Sequence, residues 1–285
     1  MVTTVWSGLA VGAIYAIIAI GYNITLVTTG ILNFAFANIV MLGAYITLTG
    51  LGWGWNIGLV LVLAFVIGGL VAVIEERVAV RFLKRGRHAE LITTVGAATI
   101  LTGAMALIWT VNAQRVTLFE EQPMDLLGGL IQPHSIILIG VAVAIAILLT
   151  IFNRKTKYGL ASLAHAADRE ATMMRGVNVR WMSIISFGAA GAIGGLLGPL
   201  VAMSTSASPY VALTLAVKGF IVLTCGGIGS QLGALIAGLG IGLIEAFTDV
   251  WLGQQFGDVA VFVIFVALLL LRPQGMFGTR SRRFV

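Results

Sequence analysis

Charge is what this chain lacks. Only 10% of its 285 residues are Asp, Glu, Lys or Arg, 59% are hydrophobic, and the mean hydropathy is +1.04. A soluble core of this length cannot hide so much apolar surface, so composition excludes an ordinary globular domain and predicts a polytopic integral membrane protein. No segment between the apolar runs is long enough to build a soluble domain, which predicts one membrane domain over residues 1–285.

Cysteine is nearly absent too. The single Cys225 excludes an intramolecular disulfide and a cysteine-based metal centre, and in its apolar, glycine-rich stretch it reads as a small buried residue. His88, His134 and His165 fall at loop or helix-end positions without i, i+4 partners, so no histidine metal centre is expected. No Ser/His, paired-Asp or HExxH arrangement lies inside an apolar run, which leaves an intramembrane enzyme without support. A GxxxxGK[ST] phosphate loop is also missing, so ATP energy would have to come from another chain. No Lys or Arg precedes Arg77; a cleavable signal peptide needs a positive n-region, so a first span with a very short N-terminus outside is expected instead.

The charge that is present is concentrated. Arg77–Arg87, Arg154–Arg180 and Arg272–Arg283 hold fifteen of the seventeen Lys and Arg residues. Cytoplasmic loops carry the basic excess of membrane proteins, so these blocks are expected inside, with Asn112–His134 (Glu120, Glu121 and Asp125 against Arg115) and the Asp249–Asp258 region outside. The pI near 9.9 then follows loop topology and suits anionic lipid headgroups; no nucleic acid is expected as a partner.

Runs of bilayer-spanning length fall at 5–27, 31–51, 55–74, 91–111, 135–152, 181–203, 210–226, 230–248 and 257–271. Nine crossings satisfy the charge pattern with the N-terminus outside and the C-terminus cytoplasmic. The fold class expected is an all-α transmembrane helix bundle of about 8–9 spans. Residues 204–229 are the weak place: a Ser/Thr-rich stretch closed by Pro209, then Lys218, then Gly226–Gly227, which suits a broken or re-entrant element lining a cavity. Among the 36 glycines, Gly191–Gly195 and Gly194–Gly198 have the small-xxx-small spacing that lets helix backbones approach closely.

Four polar residues stand out inside apolar runs. Asn33 and Asn38 either hydrogen-bond neighbouring helices or line a hydrated path. Lys218 and Glu245, the most deeply placed ionisable groups, either pair or serve a path, or else Lys218 snorkels to the interface while Glu245 bonds a neighbouring helix. The segment 153–180 has six basic residues and, from Leu160 to Met174, an alternation that suits a short amphipathic helix docking in a partner's groove.

Gly12–Tyr45 (GAIYAIIAIGYNITLVTTGILNFAFANIVMLGAY) resembles the N-terminal signature of LivH-type permeases of branched-chain amino-acid ABC importers. ERVAVR at 76–81, YGLASLAHAADREATMMRGVN at 158–178, GGIGSQLG at 226–233, GLIEA at 242–246 and RPQGMF at 272–277 follow in that family's order and carry the resemblance along nearly the whole chain. The resemblance implies a non-enzymatic permease subunit of a prokaryotic inner membrane that moves a small solute inward by alternating access. It implies as partners two cytoplasmic ATPases holding ATP and Mg, a homologous LivM-like permease or a second copy of this chain, and an extracytoplasmic binding protein. A secondary transporter or channel is the competing reading, and it would need no docking loop. By resemblance, Gly159, Ala161, Asp168, Ala171 and Gly176 dock on the ATPase. The family's usual His-Gly-Glu after Asn33-Phe34-Ala35 is Phe36-Ala37-Asn38 here, so Asn33, Phe36, Asn38, Lys218 and Glu245 are candidate path residues. The solute is left open between a branched-chain amino acid, another amino acid, and an amide or organic acid.

The charge blocks make orientation testable. A cysteine replacing Glu121 is expected to react with an impermeant thiol reagent in intact cells, and one replacing Lys157 only after the membrane is opened. The reverse pattern overturns the assignment.

Overall fold

The computed structural model describes residues 1–80, 87–119, 121–167, 172, 174 and 178–278. Among them the helices are α1 (Val2–Thr29), α2 (Phe36–Gly52), α3 (Ile57–Glu75), α4 (Arg87–Ile108), α5 (Pro133–Lys155), α6 (Lys157–Ala167), α7 (Val179–Thr205), α8 (Val211–Gly226), α9 (Gln231–Trp251) and α10 (Gly257–Leu271). Seven helical segments are long and apolar enough to cross a membrane, and α2 and α8 are shorter apolar helices of 17 and 16 residues. The protein is an all-α polytopic bundle.

Caps mark several starts. Asn56 Oδ1 accepts from Gly58 N at 2.8 Å ahead of α3, Asn178 Oδ1 accepts from Arg180 and Trp181 N ahead of α7, and Ser230 Oγ accepts from Gly233 N at 2.9 Å ahead of α9. Each side chain satisfies amide donors that the first turn of a helix leaves unpaired. Pro133 opens α5, where its missing N–H costs nothing.

Several expected boundaries shift. The second apolar run becomes helical only at Phe36, because Gly30 takes φ +77 and residues 30–35 turn through Asn33, whose Oδ1 accepts from Ala35 N at 2.9 Å. The third run continues past Glu75 as a π-helical segment, Glu76–Val80, and carries Glu75 and Glu76 into the interior, so these acids are not loop residues. Residues 211–226 form an unbroken helix. The irregular backbone near it is confined to Ser206–Tyr210, with Ser206 at φ 70, and to the turn at Gly227–Ser230. At ~1.5 Å per residue, α8 falls short of a ~30 Å hydrocarbon core. The expected amphipathic helix begins at Lys157 and is described to Ala167; Asp168, Ala171 and Gly176 lie outside the described residues.

The helices belong to two compact units. One contains Ile24–Glu120 and Ala161–Val217. Within it α2, α3 and α7 pack on one another, and the glycines of α7 explain how closely. A Cβ added to Gly43 would sit 2.7 Å from Gly195 Cα, and one on Gly198 would sit 2.8 Å from Ala44 N. Ile31, Ile39, Ala72, Val80 and Phe187 form a buried cluster in this unit. Residues 109–114 join its packing: Trp109 stacks on Tyr45 at 5.2 Å and donates to Thr49 Oγ1 at 2.6 Å, and Gln114 bridges Ala207.

The other unit contains Met1–Asn23, Glu121–Leu160 and Lys218–Val285. Here α1 meets α9 through glycine, since a Cβ on Gly12 would lie 2.8 Å from Leu239 Cα and one on Gly8 2.9 Å from Leu243 Cα. Residues 124–131, expected to be loop, fold instead into a hairpin with Met124 opposite Ile131 and a Leu127-Gly128 turn, both at positive φ. Two positive φ values in a two-residue loop match the twist of the strands. The hairpin lies on the start of α1: Trp6 Nε1 donates to Leu126 O at 3.2 Å, and Leu130 N donates to Thr3 Oγ1 at 3.3 Å. The segment after α10 returns to α8, with Met276 N and Phe277 N donating to the carbonyls of Cys225 and Gly226.

The glycine contacts carry a stability expectation. Gly43→Ala forces a methyl group against rigid backbone and is expected to cost about 1–3 kcal/mol, read as a lower unfolding temperature in detergent. Gly103→Ala, with nothing within 4 Å of the new Cβ, is expected to be neutral or slightly stabilising. Equal melting of the two variants would contradict the packing described.

Candidate functional site

Four polar side chains from four helices meet in the unit that contains the chain's N-terminus. Lys218 lies in the second turn of α8, Glu245 in the last third of α9, Tyr15 in the middle of α1, and Asp258 in the first turn of α10. Lys218 Nζ is 2.7 Å from Glu245 Oε1, 2.7 Å from Asp258 Oδ1 and 3.0 Å from the Tyr15 hydroxyl. An ammonium group has three donors, and here all three are used. Tyr15 accepts from Lys218 and donates in turn to Glu245 Oε1 at 3.0 Å, so the four groups form one connected network. The Lys218 and Glu245 side chains are 12% exposed while Asp258 is 73% exposed, so the network runs from a buried ammonium out to an exposed carboxylate.

Neither Tyr15 nor Asp258 emerges from the sequence as a site residue. Tyr15 is an isolated aromatic in an apolar run, and its hydroxyl gains meaning only once α8 and α9 lie beside it. Asp258 reads as a loop charge, yet its carboxylate turns back to Lys218 from the first turn of α10. Lys218 and Glu245 are visible as costly charges in apolar sequence, and the structure brings them into direct contact.

The asparagines lie in the other unit and are engaged with neighbouring helices. Asn33, 1% exposed, donates through Nδ2 to Glu75 Oε2 at 3.0 Å. Asn38, 2% exposed, donates to Ala98 O at 3.1 Å and to Thr102 Oγ1 at 2.6 Å on α4. These bonds are the interhelical ones that a buried amide needs when it is withdrawn from water. Phe36 is buried with its ring edge against Gly194; a Cβ there would meet Cε2 at 2.8 Å. Glu75 lies between the apolar run 55–74 and the basic block that begins at Arg77, so neither pattern singled it out.

In the segment expected to dock a partner, Gly159 N donates to Thr156 Oγ1 at 3.0 Å, and a Cβ at Gly159 would strike the Phe152 carbonyl and Asn153. Only glycine lets α6 fold against the last turn of α5. Ala161 is partly buried, and the adjacent Ser162 shares a 2.7 Å hydrogen bond with Thr28 in their own unit.

Residues 4–271 match the family model described as a branched-chain amino acid transport system permease component. The chain belongs to that family. It is 30% identical to the high-affinity branched-chain amino acid transport system permease protein BraD of Pseudomonas aeruginosa, over 95% of this chain and 94% of BraD. It is 29% identical to LivH of Escherichia coli K12, over 96% and 94% respectively. A probable LivH of Methanocaldococcus jannaschii is 27% identical over 92% of this chain and 88% of that protein. Among solved structures, PsaBC from Streptococcus pneumoniae in complex with Fab aligns with a TM-score of 0.54 at 12% identity, over 97% of this chain and 92% of that chain, which speaks to fold alone. A member of this permease family with seven long apolar helices is a multi-pass protein of the inner membrane and a transport subunit, not an enzyme.

The network's energetics can be measured. Lys218→Met leaves Glu245 buried without its cation and is expected to destabilise the protein by about 3–5 kcal/mol. Adding Glu245→Gln to Lys218→Met is expected to recover part of that loss. Unfolding temperatures of the two single variants and the double variant give the coupling, and strictly additive losses would show that the pair does not act as one.

Proposed function

We propose that this chain is the permease subunit of an ATP-driven importer that carries a small amino acid inward by alternating access. The observation that carries this reading is the family match over residues 4–271, which takes in α2 to α10 and all but the first two residues of α1. The printed names of the relatives supply the substrate class, branched-chain amino acids, as the first to test. Energy comes from two cytoplasmic ATPases that bind ATP with Mg. The other half of the pore is a LivM-like permease or a second copy of this chain, and an extracytoplasmic binding protein delivers the solute.

Coupling is assigned to 153–180. The tight fold of α6 on α5 through Gly159 supports this, because a short helix held rigidly to a spanning helix transmits a push along it. Asp168, Ala171 and Gly176 are assigned to the same docking role by resemblance. The basic blocks support a cytoplasmic position for this segment and an outer position for the hairpin at 124–131. Asn33, Phe36, Asn38, Lys218 and Glu245 remain candidate path residues. Of these, Lys218 and Glu245 have the stronger support, because charges in spanning helices generally face protein or water and not lipid.

Uptake in proteoliposomes tests the reading. With the ATPases, the second permease and the binding protein supplied, labelled leucine, isoleucine or valine is expected to accumulate only with ATP inside the ATPase compartment. Gly176→Trp is expected to abolish accumulation while leaving the chain folded. Accumulation driven by a sodium or proton gradient without the ATPases would replace this reading with a secondary transporter.

A further inference from the structure

The network around Lys218 leaves negative charge unbalanced. Glu245 and Asp258 bring two carboxylates to one ammonium, whose three donors are all used on Glu245 Oε1, Asp258 Oδ1 and Tyr15, and Asp249 adds a third carboxylate one turn beyond Glu245 on α9. Two carboxylate oxygens, Glu245 Oε2 and Asp249 Oδ1, are buried without a hydrogen-bond partner among the described residues. Their side chains converge: the position of a Cβ on Gly257 lies beside Asp249 Oδ1 and 3.2 Å from Glu245 Cγ. Burying a carboxylate oxygen with neither a donor nor a cation is costly, so the arrangement calls for a positive partner.

A cleft receives those side chains. It has a volume of about 260 Å³ and lies between Thr3, Thr4, Ser7 and Val11 on α1 and Gly242, Glu245, Ala246, Asp249 and Val250 on α9. Glu245 itself is only 9% exposed, so the cleft is lined by a buried carboxylate together with the hydroxyl-bearing Thr3, Thr4 and Ser7. At ~30 Å³ per water, the space equals about eight or nine waters, more than a bare ion fills. Its lining is amphipathic: two carboxylates and three hydroxyls together with Val11, Ala246 and Val250. A primary ammonium with a short aliphatic body satisfies both, since its three N–H donors match the acidic and hydroxyl oxygens and its carbons cover the apolar wall.

We propose that the α1–α9 cleft is a binding site for a primary ammonium group, with Glu245 and Asp249 as its counter-ions. The ammonium comes from a free amino acid or from an ethanolamine lipid headgroup, which share this chemistry. The site stands on geometry and charge balance and needs no assumption about transport.

Isobutylamine is the probe and isobutanol its neutral counterpart. The full-length protein in phosphatidylcholine nanodiscs is titrated with each, following binding by calorimetry and by the fluorescence of Trp6 and Trp251, the chain neighbours of Ser7 and Val250. Saturable binding of isobutylamine, with none of isobutanol, is expected. Asp249→Asn is expected to weaken it at least tenfold. Ser7→Phe, at an exposed wall position where folding is not at risk, is expected to block it. Leucine competing for the site identifies an amino acid as the source, and loss of the probe's binding in phosphatidylethanolamine nanodiscs identifies the lipid. No saturable binding to the unaltered protein, or unchanged affinity in both variants, overturns the site. Because nothing in the assay is transported, that failure leaves the importer reading standing, while failed uptake with intact amine binding leaves this site standing.

Discussion

Close approach of helix backbones is the constraint on which the polar chemistry depends. Lipid gives apolar helices no hydrophobic reason to associate, so van der Waals contact between small residues must hold them. In the unit that contains the N-terminus, Gly8 and Gly12 let α1 lie against Gly238 and Gly242 of α9, and Gly219 lets α8 approach Ile18 and Tyr22 of the same helix. Those contacts bring Tyr15, Lys218 and Glu245 within hydrogen-bonding distance. Bulkier residues at the crossings would separate the helices by more than a hydrogen bond can span. The glycines and the ion network are therefore one device, in which thin helix faces set the distance and the charged groups use it.

A lysine in an apolar helix is tolerated only where its ammonium finds partners, because water is not there to solvate it. Three acceptors from three different helices meet that need at Lys218 and fix the rotational setting of α1, α8, α9 and the start of α10 relative to one another within their unit. The same geometry exhausts the lysine and leaves acid uncompensated beside it. A charge network built only for stability would be expected to close on itself, whereas this one leaves Glu245 Oε2 and Asp249 Oδ1 without a partner among the described residues, on side chains that line the α1–α9 cleft.

Much of the architecture was legible because bilayer physics writes itself into sequence. Length and hydropathy marked the spans, basic blocks divided the loops, and the energetic cost of charge singled out Lys218 and Glu245. Partners were not legible. Tyr15 and Asp258 acquire roles only through tertiary contacts between segments some 200 and 40 residues away from Lys218 in the chain, for which periodicity has no signal. Glu75 falls between the apolar run that ends at residue 74 and the basic block that starts at Arg77, so neither pattern singled it out, yet the helix continues through it and buries it against Asn33. Likewise the delayed start of α2 depends on Gly30 and on the Asn33 turn, features that a hydropathy average smooths away.

Phe36 shows how a departure from a family's motif is absorbed. An aromatic ring occupies the place where these permeases commonly carry histidine, and in this chain it is 1% exposed with its edge against Gly194. A side chain at 194 would collide with the ring, so the phenylalanine and the glycine require each other. Asn38, standing where the family commonly has an acid, donates both of its described hydrogen bonds to α4, and Ala98 O could not receive a bond from a carboxylate. Phe36 is matched by Gly194 on α7 and Asn38 by the acceptors of α4, so the two substitutions relative to the motif are compensated on different helices. Selectivity for a solute is then better sought where polar groups remain unspent than where every donor and every ring edge already has its neighbour.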